Sequence, residues 1–210
     1  MSPFSIRKLE STDRSAFIHV MVNAFENDPL LQHVFSQLNH NDKQKKRMVA
    51  FFRFIFDQSF LFSEEGWGVF EDERLVGAYI VESPSKKSNH IGRDTCQLIL
   101  FAFTLLLKIG FRSFLRLNDY FVSTRKDSML RYHYLIVIGV SVGMHRRGIG
   151  RMMLNHLVDE VKADDKSIGI ALDTENTRNV AIYEKVGFKM AKVIQSKGLP
   201  IYCMKMGIKS

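Results

Sequence analysis

The sequence is poor in cysteine and has no long apolar run, and each absence excludes a class of protein. Its 210 residues contain two cysteines, Cys96 and Cys203, which lack the CxxC spacing of a structural zinc site and cannot build a disulfide framework. The longest uncharged apolar run covers residues 95–107, which is shorter than the roughly 20 residues that cross a bilayer. The first 20 residues hold no uninterrupted apolar core. We therefore expect no secretory signal and a cytoplasmic location.

Acidic residues are fewer than basic ones, and the resulting positive charge limits which kinds of molecule the protein can be expected to bind. Thirty Lys and Arg residues against 22 Asp and Glu residues give a formal net charge of +8. The surplus excludes an acidic protein of the calcium-buffer type, and leaves nucleic acid, a membrane surface, a phosphorylated small ligand or solubility alone. A content of 46% hydrophobic and 25% charged residues is ordinary for a folded protein, and the length fits one domain over residues 1–210.

Hydrophobic patterns along the chain predict an α/β (α+β) architecture. Alternating patterns predict strands over residues 4–9, 66–70, 75–81, 132–142, 167–174, 188–194 and 201–206. Helical spacing predicts a first helix that ends near residue 25, and further helices over residues 42–62, 148–161 and 178–186. The strand–helix–strand order of the second half implies parallel pairing with right-handed crossovers.

Residues 91–121 are mostly apolar, helical in pattern and broken near Gly110. We expect one or two helices that cover a sheet edge or a ligand groove. The alternative is an amphipathic helix on a membrane surface, with Lys108, Arg112 and Arg116 as its basic face, and stable membrane insertion is not expected. A second basic stretch at residues 43–53 is typical of a solvated helix face.

The most informative stretch is the glycine-bearing turn within residues 140–151. A strand ends there and a helix begins, and the first amides of a helix form a ready anion site because they have no internal partners. Gly148 and Gly150 let the backbone approach a phosphate, and Arg146, Arg147 and Arg151 add positive charge. The stretch is neither a Walker loop nor a dinucleotide fingerprint, and taken alone it is equally typical of a tight turn with close helix packing.

A second pattern follows at residues 176–188. Asn176 comes directly after a strand and can cap the next helix, Tyr183 lies two turns into that helix, and Gly187-Phe188 closes it. Helix capping alone would also explain this pattern.

Together the two patterns resemble the GNAT acetyltransferase superfamily. The order of strand, R/QxxGxG/A turn, helix, strand and N-x6-Y-x3-G-F is most similar over residues 132–188. Within the superfamily the chain looks most like the puromycin-acetyltransferase-like branch, on Ala24-Phe25, Asp28-Pro29 and the long helical segment before the fourth strand. The resemblance implies a central, twisted, mixed sheet of about seven strands, splayed between strands 4 and 5 and flanked by helices, with a helical insertion at about residues 91–121.

The resemblance also implies an acetyl-CoA site. The pyrophosphate would lie on the amides of residues 147–151, and the pantetheine would pair like an extra strand with the backbone of Val140 and Val142. His145 stands where the family usually has Gln or Arg, and no metal is expected. The cofactor-binding candidates are Val140, Val142, His145, Arg146, Arg147, Gly148, Ile149, Gly150, Arg151, Asn176, Asn179 and Tyr183.

Acetyl transfer to an amine needs a base for the amine, a donor for the developing oxyanion and an acid for the departing thiolate. Tyr183 is the candidate acid, and strand amides near Val140 are the candidate oxyanion donors. Asp173 is the first candidate for the base and Glu175 the second, with ordered water as an alternative to both. His133 and Asp28 are more distant candidates for the base, because both are more often structural or solvent-facing.

The resemblance therefore implies an acetyl-CoA-dependent N-acetyltransferase that acts on the amine of a small molecule by direct attack in a ternary complex. The alternatives are a protein or peptide N-acetyltransferase and a non-catalytic acyl-CoA-binding sensor. A nucleic-acid partner is not expected, because aromatic RNA platforms, zinc fingers and helix-turn-helix spacing are missing. The chain is expected to be a monomer or a homodimer.

Overall fold

One mixed sheet organises the computed structural model, which describes residues 4–35, 41–61, 64–84, 93–125 and 131–208. The sheet has seven strands in the order β1-β2-β3-β4-β5-β7-β6, as the family resemblance implies. Among the described strands, β4 and β5 pair in parallel and all other neighbours are antiparallel. The strands are β1 Phe4–Lys8, β2 Glu65–Glu71, β3 Arg74–Glu82, β4 Tyr132–Val140, β5 Gly169–Thr174, β6 Lys189–Ser196 and β7 Leu199–Gly207.

Helices cover both faces of the sheet. Strand β3 shows this best, because Ala78 and Ile80 join one apolar cluster while Tyr79 and Val81 join another, as alternation along a strand requires. The first cluster includes helices α1 and α3, and the second includes helix α6. The helices are α1 Arg14–Ala24, α2 Pro29–Phe35, α3 Asn41–Leu61, α4 Arg93–Ile109, α5 Phe111–Arg125, α6 Ile149–Ala163 and α7 Thr177–Val186.

The insertion before β4 is a pair of helices. Helices α4 and α5 meet at Gly110, whose φ of +84° is a conformation that favours glycine, so the predicted break falls where the backbone requires it. Helix α5 runs to Arg125, four residues past the predicted end. Helix α4 packs on α3, and α5 contacts β6 and brings Tyr120 against Ile201 and Cys203. Among the described helices, none combines the length and the apolar character that crossing a bilayer demands.

Strands β4 and β5 pair over a short distance and then diverge. Their register joins Tyr132 to Gly169, His133 to Ile170 and Tyr134 to Ala171, and no later residues of the two strands pair. A register shift against β3 leaves Ile136 as an extra residue on β4, and such a bulge increases local twist. The second half of β4 is therefore open on the side that faces β5.

Two predicted strand bounds were wrong, and one helix was missed. Strand β4 ends at Val140 rather than at 142, because residues Val142–Met144 form a 3-10 turn in which the Met144 amide donates to the Ser141 carbonyl at 2.8 Å. Helix α2 was not predicted at all. The last hairpin turns at Lys197 and Gly198, so residues 199 and 200 belong to β7.

Candidate functional site

A groove of about 720 Å³ opens where β4 and β5 diverge. Its walls come from the end of α1, the last residues of β4, the first turn of α6 and one face of α7. Helix α6 begins where its predicted turn places it, so the amino-terminal end of the helix, with its unpaired amides and positive dipole, borders the groove.

The turn before α6 has the open geometry that an anion site needs. Gly148 caps α6 with a φ of +81°, and a Cβ added there would meet no atom within 4 Å. A Cβ added at Gly150 would meet only Val140 Cγ2, at 4.0 Å. The exposed side chains of Arg146 and Arg151 line the same groove and supply positive charge to it.

Most of the predicted cofactor-binding residues line this groove, and two do not. Val142 lies in the 3-10 turn with 57% of its surface exposed, so it cannot extend the strand as an extra-strand partner would need. The Arg147 guanidinium is 2.8 Å from the Glu71 carboxylate and stacks on the Phe4 ring at 4.8 Å, which holds it against β1 and β2. The residues that line the groove are Val140, His145, Arg146, Gly148, Ile149, Gly150, Arg151, Asn176, Asn179 and Tyr183.

Asn176 has a structural task in addition to its place in the groove. Its side-chain oxygen accepts a hydrogen bond from the Arg178 amide at 3.0 Å and so caps helix α7, as the sequence predicts. The cap fixes the start of α7, and through it the positions of Asn179 and Tyr183 one and two turns later.

A smaller pocket of about 100 Å³ continues inward from the groove. Among the residues that the structure describes, three acidic side chains line it, Asp28, Asp173 and Glu175, and no Lys, Arg or His does. The groove and the pocket share five wall residues, so they meet at one place. The shared residues are Phe25, Asp28, Ile138, Asn179 and Tyr183.

Asp173, at the penultimate position of β5, is held by a residue from the helical insertion. The Tyr120 hydroxyl of α5 donates a hydrogen bond to Asp173 Oδ2. Burial, together with the negative charge of Glu175, raises the pKa of Asp173 well above its usual value. One carboxyl oxygen of Asp173 thus already accepts a hydrogen bond from Tyr120, and the raised pKa makes the proton of the Asp173 carboxyl group hard to remove.

Glu175 follows the end of β5 and is better placed to exchange a proton. Its side chain is 9% exposed, and its Oε1 atom has no hydrogen-bond partner within the described part of the chain. Burial first, and the charge of Asp28 second, raise the pKa of Glu175 to about 8. A carboxyl group with a pKa close to the working pH is suited to general base catalysis.

Asp28 caps a helix that sequence analysis missed. Its Oδ1 atom accepts a hydrogen bond from the Leu31 amide at 3.1 Å, in the first turn of α2. Burial nevertheless raises the pKa of Asp28, although its backbone hydrogen bonds with Leu30 and Leu31 act in the opposite direction. The carboxyl group thus contributes to helix formation and to the negative field of the pocket.

Tyr183 stands at the junction of groove and pocket. Its ring is 8% exposed and lies edge-on to Phe188, with 5.7 Å between the ring centroids. Burial, with the nearby carboxyl groups Asp173, Glu175 and Asp28, raises the pKa of its hydroxyl above the usual value of about 10. The hydroxyl therefore keeps its proton at neutral pH and is present as a hydrogen-bond donor.

His133 lies outside both cavities, so the structure does not bring it to the site. Its Nδ1 atom is 2.9 Å from the Ser167 hydroxyl, and its Nε2 atom is 3.6 Å from an Asp164 oxygen. The described residues include no group of three or more His, Cys, Asp or Glu side chains that could hold a metal ion.

Two contributions to the site were missed from the sequence. Tyr120 carried no signal beyond an aromatic position in an amphipathic helix, and Lys185 of α7 lines the groove as a further cation. The Asp-Pro pair at residues 28–29 did carry a signal, because an N-cap followed by Pro is typical of a helix start.

Comparison with protein families and solved structures agrees with this geometry. A family model described as the acetyltransferase (GNAT) family matches residues 29–188. A crystal structure described as histone acetyltransferase HPA2 and related acetyltransferase, from Corynebacterium glutamicum, superposes with a TM-score of 0.70 at 20% identity, covering 97% of this chain and 96% of that one. At this identity the likeness shows the fold.

Two curated relatives match in sequence. A probable serine/threonine-protein kinase from Dictyostelium discoideum is 26% identical over 96% of this chain, which corresponds to 23% of the relative. The ribosomal protein bS18-alanine N-acetyltransferase of Salmonella typhimurium is 35% identical over 60 residues, which are 28% of this chain and 40% of the relative. The chain thus spans less than half the length of either relative in these matches.

Proposed function

The chain belongs to the GNAT acetyltransferase family, and from this premise we propose that it moves the acetyl group of acetyl-CoA to the amine of a small molecule. One observation carries the proposal. A large groove that begins at a helix amino terminus meets a small, carboxylate-lined pocket at Tyr183. Two reactants that enter from the two sides would come together there, as direct attack in a ternary complex requires.

The groove fits acetyl-CoA by its own chemistry. The first turn of α6, the open side of Gly148 and the cations Arg146 and Arg151 suit the phosphates. The half of β4 that lacks a β5 partner offers main-chain groups to the amide-bearing arm, over Ile138 to Val140 rather than over Val142. When bound, acetyl-CoA supplies the acetyl group as a thioester with a thiol leaving group.

Side chains at the junction take distinct roles. Glu175 removes a proton from the ammonium form of the acceptor, and we prefer it to Asp173 because Oε1 is open whereas Tyr120 already bonds Asp173. Tyr183 donates its hydroxyl proton to the departing sulfur. Main-chain amides near Val140 stabilise negative charge on the carbonyl oxygen.

The dimensions of the pocket favour a small molecule over a protein tail. Its volume is about 100 Å³, and aromatic side chains such as Phe25 and Tyr120 are among its walls. A folded protein presents a lysine or an amino terminus with bulky flanking backbone, which this pocket has no room for. The place of the chain in the puromycin-acetyltransferase-like branch stays a prediction from sequence.

The test is turnover of acetyl-CoA with matched acceptors. The chain is incubated with acetyl-CoA and either n-butylamine or a peptide with a free alanine amino terminus, and free thiol and acetylated product are both measured. We expect acetylation of the amine, and a loss of about 100-fold or more in the Glu175→Gln variant. Turnover with the peptide alone would indicate a protein acetyltransferase, and acetyl-CoA binding without thiol release would indicate a sensor.

A further inference from the structure

A third cavity, of about 320 Å³, lies under the helical insertion. Helices α3, α4 and α5 form its walls together with Ile136, the bulged residue of β4. Ile55, Phe121 and Ile136 also line the pocket that holds the three carboxyl groups. The same three side chains thus form a wall of both cavities, and the insertion cavity lies next to the candidate acceptor pocket.

The two adjoining cavities have opposite chemical character. The acceptor pocket presents Asp28, Asp173 and Glu175 and no basic side chain, and Glu175 Oε1 is buried without a hydrogen-bond partner in the described residues. The insertion cavity is walled mainly by apolar side chains, with Gln58, Glu64 and Asn118 as its polar exceptions. The apolar walls are Phe54, Ile55, Ala102, Leu105, Phe114, Leu117, Phe121 and Ile136.

We propose that the acceptor is an amphiphilic primary amine, with its ammonium group at the carboxyl cluster and an aliphatic or aromatic tail in the insertion cavity. This inference rests on the proposed acetyltransferase function and names its substrate class. A buried, unpartnered carboxyl oxygen is costly in a folded protein, and a cationic head group would satisfy it. A tail of a few carbon atoms would find an apolar surface immediately beyond Ile136.

The transfer balances with these groups. The ammonium gives one proton to the Glu175 carboxylate, the amine nitrogen forms a bond to the thioester carbonyl carbon, and the carbon–sulfur bond breaks. Tyr183 protonates the sulfur, and a second proton lost from nitrogen restores the Tyr183 hydroxyl. The products are the N-acetylated amine, CoA and one proton, which leaves through Glu175.

The first experiment uses the unaltered chain and a series of methylamine, n-butylamine and n-octylamine at constant pH. Burial of each added methylene lowers KM by about threefold to fourfold if it enters apolar surroundings. We expect this gain to continue along the series until the cavity is filled, with kcat changing less. 4-Amino-1-butanol, which adds a neutral hydroxyl to n-butylamine, should be a poorer acceptor than n-butylamine, because its hydroxyl would have to enter mainly apolar walls.

A pair of variants on α4 locates the effect. Ala102 lines the insertion cavity but not the acceptor pocket, so Ala102→Phe should remove the advantage of n-octylamine and leave methylamine turnover unchanged. Thr104 is exposed on the same helix, and Thr104→Phe adds comparable bulk outside the cavity. The control variant should keep the full chain-length dependence. Calorimetric binding of n-octylamine to each variant gives a readout that does not depend on turnover.

The outcomes separate the two levels of the proposal. Equal kcat/KM for methylamine and n-octylamine, or preference for 4-amino-1-butanol over n-butylamine, would overturn the amphiphilic acceptor while leaving the acetyltransferase function in place. Binding of acetyl-CoA with no acetylation of any amine in the series would overturn the substrate class. Failure to bind acetyl-CoA at all, measured by calorimetry without an amine, would overturn both.

Discussion

Replacing Glu175 by glutamine should stabilise the fold and disable the reaction, with a gain in stability that depends on pH. The pKa of Glu175 is about 8 in the folded chain, against an ordinary value of 4.5. Between these two values the folded state holds a proton that the unfolded state has released. The contribution of Glu175 to stability is therefore complete below pH 4.5 and falls as the pH rises toward 8. Above pH 8 Glu175 is ionised in both the folded and the unfolded chain, and its contribution to stability is completely lost.

The magnitude follows from the separation of these two pKa values. Each unit corresponds to about 1.4 kcal/mol, so the separation of 4.5 and about 8 sets an upper bound of about 5 kcal/mol. The realised gain is smaller, because Asp28 and Asp173 line the same pocket and can hold a proton in place of Glu175, which lowers the cost of its charge in the parent chain. Glutamine has nearly the same shape as protonated glutamate. The variant and the parent chain should thus differ by less than about 1 kcal/mol near pH 5 and by about 2–4 kcal/mol near pH 8.5.

Urea unfolding at several pH values between 5 and 8.5 measures this difference. Glu184→Gln is the matched control, because Glu184 lies exposed on α7 and its carboxyl group is in water. The control should follow the parent chain at every pH, while its acetylation rate stays at the parent level. If Glu175→Gln raises the free energy of unfolding by the same amount at every pH, the argument that burial raises the pKa of Glu175 is refuted.

Three further substitutions test other parts of the site. Tyr183→Phe should lower kcat by about 100-fold and leave the acetyl-CoA dissociation constant unchanged, and an unaltered kcat would remove Tyr183 from its role as the acid. Gly148→Asp should weaken acetyl-CoA binding about tenfold or more, because it strains the backbone at a φ of +81° and adds a negative charge beside the phosphates. The control Gly143→Asp lies on the neighbouring turn and outside the groove, and it should leave acetyl-CoA binding unchanged. Tyr120→Phe should lower the free energy of unfolding by about 1–3 kcal/mol, because Asp173 loses its donor, and equal urea midpoints would contradict the importance of that hydrogen bond.

Local chemistry explains which parts of the fold could be predicted from the sequence. The turn at Gly148 and the cap at Asn176 depend on residues that are adjacent in the chain, and both lie where their patterns predict. Helix α2 was missed because residues 27–29 indicate the end of α1, whereas the same Asp-Pro pair also starts the next helix. A pattern that fits both a stop and a start cannot choose between them without the structure.

The missed features of the site are contacts between distant parts of the chain. Tyr120 and Asp173 are 53 residues apart, and they meet because α5 docks on the sheet, where it contacts β6 and places Tyr120 against Ile201 and Cys203. Arg147 belongs to a turn whose position was predicted correctly from the sequence. Its side chain, however, forms an ion pair with Glu71 on strand β2, which no local pattern predicts. The order of preference between Asp173 and Glu175 likewise depends on a hydrogen bond from the insertion, which no local pattern reveals.

The central claim is that an acetyl donor and a small amine meet at the junction of the groove and the pocket. The most direct measurement is the rate of acetyl transfer to n-butylamine across pH 6 to 9, with N-acetylbutylamine and free CoA quantified in the same samples. The central claim predicts one CoA for each N-acetylated product and a rate that rises with pH and levels off near the pKa of Glu175 at about 8. In Glu175→Gln the rate should be lower and should keep rising with the fraction of neutral amine, without levelling off near pH 8. CoA release without acetylated amine, or the same pH dependence in both proteins, would contradict it.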